Sequence, residues 1–72
     1  MPTIPRHGPY RFYFYSNERS EPGHVHVQRD RSFAKFWLHD VALASSEGFP
    51  AHEIRSLRAT IERHREHFLE RW

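Results

Sequence analysis

Apolar and polar residues alternate through much of the first half of this 72-residue chain, and apolar residues recur every three or four positions through its last third. The first pattern is that of half-buried strands and the second that of an amphipathic helix. Tyr10-Arg11-Phe12-Tyr13-Phe14-Tyr15 reads as a first strand, Ser16 to Pro22 as a polar loop, Gly23 to Arg29 as a second strand and Ser32 to Leu38 as a third. Asp30-Arg31 fits a two-residue turn between the last two. Val41-Ala42-Leu43-Ala44 is either a short fourth strand or a loop packed on the core, and Gly48-Phe49-Pro50 closes the region. Ile54, Leu57, Ile61, His64, Phe68 and Trp72 then form one stripe of a single helix over residues 50–72. The first nine residues, with three prolines and a glycine, read as an irregular lead-in. The expected fold is α+β: one domain over residues 1–72, with a small antiparallel meander of three to four strands (10–44) and one long C-terminal helix packed on one face.

A two-residue turn at Asp30-Arg31 fixes the register. Arg29 then pairs with Ser32, Val27 with Ala34 and Val25 with Phe36, and these apolar pairs share a face with Phe12, Phe14 and Leu38. The helix should cover that face. Because residues i and i+2 point the same way, His24 and His26 fall on the opposite side, with His26 facing Lys35 and His24 facing Trp37. Arg11, Tyr13 and Tyr15 stand beside them. Shifting the third strand by one residue would bury Lys35 and expose Phe36, so the pattern supports one register only.

Composition narrows the classes. Hydrophobic residues make up 38% of the chain and aromatics 15%, so the core of so short a domain leans on rings. Without cysteine there are no disulfides, thiolate metal sites or thiol nucleophiles. No apolar run approaches a membrane span, and no secretory signal pattern is visible, so a cytoplasmic protein without membrane contact is expected. The net charge of +2 is unevenly spread. Residues 1–35 carry six Arg and Lys against three acids, and residues 36–72 carry five Arg against six acids.

Three chemistries suit the face of Arg11, Tyr13, Tyr15, His24, His26, Lys35 and Trp37. The first is RNA: rings stack bases, cations hold phosphates, and metal-independent cleavage needs a base, an acid and a cation. His24, His26, Lys35, Arg11 and Tyr13 are the candidate catalytic set. The second is a metal bound by His24 and His26, for which the neighbouring strands supply no carboxylate; Asp40 or His39 would have to fold in, or a second subunit contribute. The third is a partner surface in a homodimer or heteromer, since Tyr, Trp and Arg are enriched at interface hot spots. His7, His39, His52, His64 and His67 read as surface or core-edge residues.

Nearly the whole chain resembles the domain-of-unknown-function family 4160, a small prokaryotic group. Arg11 to Tyr15, Phe14-Tyr15-Ser16-Asn17-Glu18, Pro22-Gly23-His24-Val25-His26, Ala34-Lys35-Phe36-Trp37 and the closing helix from His64 to Trp72 carry the likeness. The resemblance implies a β-rich domain with a C-terminal helix. It also implies the toxin half of a toxin–antitoxin pair, with a small antitoxin-like protein as partner and a nucleic-acid target. No cofactor is expected, and the resemblance carries over His24 and His26 as signature positions without a catalytic role.

Overall fold

A computed structural model describes residues 6–14 and 20–72, with the backbone alone for Arg6 and His7. Five antiparallel strands lie in chain order across one sheet: β1 (Arg6–His7), β2 (Tyr10–Tyr13), β3 (His24–Arg29), β4 (Ser32–Trp37) and β5 (Leu43–Glu47). Two helices follow, α1 (Ala51–Arg63) and α2 (Arg65–Arg71). The fold is thus the expected α+β antiparallel meander with a C-terminal helical segment, built of five strands and two helices rather than three to four strands and one helix.

The central register is the expected one, with Val25 opposite Phe36, Val27 opposite Ala34 and Arg29 opposite Ser32. Phe12 joins them opposite Val27. Phe12, Val25, Val27, Ala34, Phe36 and Leu38 form the buried sheet face, closed by Leu57 and Ile61 of α1 and Phe68 of α2. Phe68 meets the Phe12 ring at 5.6 Å and the Phe14 ring edge-on at 6.3 Å. At the other end, Arg29 Nη2 donates to Glu53 Oε1 and the Tyr10 hydroxyl to Glu53 Oε2, both at 2.6 Å. One carboxylate thereby ties β2 and β3 to the first turn of α1.

Four local features depart from the pattern. Arg6 and His7, expected in an irregular lead-in, pair with Arg11 and Tyr10 through a turn at Gly8, whose φ is 63°. Such a backbone suits glycine, which has no Cβ to clash. The last strand is β5, later than the expected Val41–Ala44, so the sheet runs to Glu47 rather than ending at residue 44. Val41 is buried at φ 53°, left-handed backbone that cannot begin a strand. An irregularity where Lys35 pairs with Ser45 but Phe36 with Leu43 leaves Ala44 as an extra residue.

The helix is also broken, at His64 (φ −111°, ψ 21°), rather than continuous. Beyond the break, Arg65 donates from Nε to the Leu38 carbonyl at 2.6 Å and from Nη2 to the His39 carbonyl at 2.7 Å, fastening the helices to the end of β4. Finally, the first strand stops at Tyr13, and Tyr15 lies outside the described residues.

Candidate functional site

Strand pairing lays the open side of the sheet out in rows, because residues directly opposite each other share a face. The middle row runs Tyr13–His26–Lys35–Ser45 across β2 to β5. One row beyond it stand His24 and Trp37. On its other side run Arg11, Gln28, Phe33 and Glu47. The expected neighbours Arg11, Tyr13, His24, His26, Lys35 and Trp37 do share this side, while Tyr15 lies outside the described residues.

The rings and cations here are in contact. Tyr13 and His26 stack with centroids 5.4 Å apart and planes 18° apart. The Arg11 guanidinium lies 5.2 Å from the Tyr13 centroid, and Lys35 Nζ lies 4.7 Å from that of Trp37. Cations over aromatic faces are attracted by the ring quadrupole, more so when partly desolvated. Arg11 is exposed, and Tyr13, His26, Lys35 and Trp37 are half-buried.

His24 departs from the expectation of an open pair of histidines: it is 0% exposed. The Trp72 ring lies 4.8 Å from its centroid, Trp37 meets it edge-on at 5.6 Å and His26 at 5.1 Å. Its Nδ1 is 2.9 Å from the Pro22 carbonyl oxygen, which can only accept, so the proton sits on Nδ1. Strand alternation decides which side a residue leaves the sheet, not what covers that side at a strand's end. His24 is the first residue of β3, and Trp72, which also packs on Phe14 at 5.7 Å, closes over it.

A carboxylate also reaches this face, which strand spacing alone did not supply. Glu21 Oε1 lies 2.8 Å from Lys35 Nζ and 3.8 Å from His24 Nδ1. The shorter contact is a charge-assisted hydrogen bond; the longer one exceeds hydrogen-bond range. Among the described residues, no three His, Asp or Glu side chains converge in a way that could hold a metal ion.

Two further groups lie apart from this face. Tyr10, Arg29 and Glu53 form the structural tie already described. The Glu53 carboxyl is held below its ordinary range, first by the Tyr10 hydroxyl and then by Arg29, which outweigh the opposing effect of burial. Hydrogen bonding to that carboxylate, then burial, raises the Tyr10 phenol above its ordinary value of 10.0. An open cleft of 520 Å³ lies between residues 39–41 and the helix break, where His39, His64 and His67 mix with Asp40, Glu62 and Glu66. Its mixed charge singles out no ligand.

Phe33 is the residue of the open face that the hydrophobic pattern leaves unremarked. It is 43% exposed and stands opposite Gln28 and Glu47. Its signal is simple: it precedes Lys35 by two residues in the same strand.

An open antiparallel sheet with one helix-covered face and one face of interleaved rings and cations defines a small α+β domain. Residues 10–72 match the family described as Domain of unknown function (DUF4160), and the chain belongs to that family. No curated protein and no solved structure matches the chain. No helix among the described residues is long and apolar enough to cross a membrane.

Proposed function

We propose that the uncovered sheet face binds single-stranded RNA, and that the protein is the toxin-like member of a prokaryotic two-protein module whose small antitoxin-like partner neutralises it. The observation that carries the RNA reading is the interleaving of stacked rings with cations on one side of the sheet. Tyr13, His26 and Trp37 supply the rings, and Arg11 and Lys35 lie within 5.2 Å and 4.7 Å of two of them. Sequence-tolerant RNA binding needs this pairing of stacking platforms and phosphate-holding charge.

Within that surface His26, rather than the enclosed His24, is placed to exchange protons with a bound strand. In cleavage its imidazole takes the 2′-hydroxyl proton as the 2′-oxygen bonds to the adjacent phosphorus. Lys35 stabilises the charge on the phosphorane oxygens, and the 5′-oxygen departs with the Tyr13 phenolic proton. Proton return from imidazolium to phenolate restores both groups. His24, held by Pro22 and Trp72, positions the strand end on which His26 sits.

Fluorescence anisotropy with a labelled single-stranded RNA tests the binding. Two phosphate contacts, from Arg11 and Lys35, predict a log–log salt slope of about −1.4, or roughly sevenfold weaker binding between about 50 and about 200 mM salt. The double variant Arg11→Ala/Lys35→Ala should flatten that slope. Salt-independent binding, or none, overturns the reading. So does a tight dimer by light scattering with Trp37 shielded from a collisional quencher, which would make the face a protein interface.

A further inference from the structure

We infer that the row formed by Arg11, Gln28, Phe33 and Glu47 is a subsite for one guanine base of a bound strand, separate from the histidine row. The inference rests on the RNA-binding reading above. It begins from Phe33, a large ring that is 43% exposed near the start of a strand whose other face is sealed into the core. An exposed phenyl on a sheet face is a platform on which a base can lie.

Its cross-strand neighbours differ in chemistry. On one side stands Gln28, whose amide is already fixed: its Oε1 accepts from Arg11 Nη1 at 3.3 Å and its Nε2 donates to the Asp30 carbonyl at 3.2 Å. On the other side stands Glu47, exposed at the end of β5 and in no ion pair with a described residue. Reading across the sheet, the row presents a cation, a fixed amide, a ring and a carboxylate.

That polarity matches one nucleotide laid across the strands. Arg11 and Phe33 are two strand spacings apart, roughly 9.5 Å, so a phosphate held by the guanidinium leaves the base over the ring. The outer edge of that base then meets Glu47. A carboxylate only accepts, and its two oxygens match two adjacent N–H donors. Guanine alone presents such a pair on its pairing edge, at N1 and the 2-amino group. Adenine and cytosine set one amino group beside an acceptor nitrogen, and uracil flanks its single N–H with carbonyl oxygens. The negative charge of Glu47 also keeps the phosphate at the Arg11 end, which fixes the nucleotide's direction.

Anisotropy titrations of the whole protein with the RNA heptamers UUUGUUU, UUUAUUU, UUUCUUU and UUUUUUU decide the matter. The guanine-containing heptamer should bind about tenfold or more tightly than the other three, the discrimination expected of a good bidentate contact. Glu47→Gln should bring the four within about threefold of one another without weakening UUUUUUU, and Phe33→Ala should weaken UUUGUUU by at least about fivefold, as stacking on one ring implies. Both residues are exposed, and unchanged thermal melting confirms that each variant folds. Equal binding of all four heptamers, or a guanine preference that survives Glu47→Gln, overturns the subsite alone. Binding to none of the four overturns the RNA reading with it.

Discussion

Replacing each histidine of the Pro-x-His-x-His segment by alanine should separate two residues that the sequence presents as a pair. His24 is fully enclosed and its ring touches Trp72, Trp37 and His26. His24→Ala leaves a cavity among those rings, a loss of about 2–3 kcal/mol by comparison with other large-to-small core changes. It also removes the Nδ1–H donor to the Pro22 carbonyl, worth about 1 kcal/mol. The total of roughly 3–4 kcal/mol compares with a stability of about 4–11 kcal/mol for a domain of this length. His26 is half-buried and stacks on Tyr13, so His26→Ala should cost under about 1 kcal/mol. In thermal melts followed by near-ultraviolet circular dichroism, His24→Ala should lower Tm by about 12–32 °C and His26→Ala by less than about 8 °C. Titrated well below its Tm, His24→Ala should still bind RNA, while His26→Ala should bind more weakly at nearly full stability. Equal Tm losses, or a larger loss for His26→Ala, would refute the enclosed placement of His24.

Further changes probe the frame that holds the face. Gly48→Ala should destabilise by at least about 2 kcal/mol in urea unfolding, since φ is 93° and an added Cβ would lie 2.7 Å from Ser32 Oγ and 3.1 Å from Ser32 Cα. Gly8→Ala, at φ 63° with no described residue within 4 Å of the added Cβ, should cost only the left-handed penalty of about 1 kcal/mol. Equal costs at the two positions would discount the contact with Ser32. The Glu53 tie should give a signed pH response. A carboxyl whose folded pKa is lowered contributes stability that is present above its unfolded pKa near 4.5 and lost as pH falls through the folded value. Urea midpoints should therefore fall more steeply on the acid side in the native chain than in Glu53→Gln, and parallel curves would count against the tie. At the alkaline end the raised Tyr10 phenol favours folding below pH 10.0, and that contribution should fade above it.

The sheet's register and buried face were legible because they rest on period-two alternation. Val25, Val27 and Phe36 cannot be moved to the other side without burying Lys35. The helical stripe was legible for the same kind of reason, with Leu57, Ile61 and Phe68 sealing the core. What escaped depends on single backbone conformations or on contacts distant in sequence. Nothing in its local pattern marks Val41 as left-handed, so the last strand read two residues too early. The helix break at His64 accompanies the two hydrogen bonds from Arg65 to carbonyls more than twenty-five positions earlier in the chain. Glu21 arrives from a loop, and Trp72 closes over His24 from the far end of the sequence, so neither belongs to any period. Phe33 was within reach of the strand pattern, two residues before Lys35, but its exposure required the structure.

The most direct measurement of the central claim is a side-chain nuclear magnetic resonance titration of the native protein with single-stranded RNA. The Trp37 indole N–H and the His26 ring proton should shift progressively with added RNA. The core methyls of Val25 and Leu57 should stay in place. Shifts confined to the two helices, or to the cleft beside His64, would contradict the account, as would a spectrum that RNA leaves unchanged.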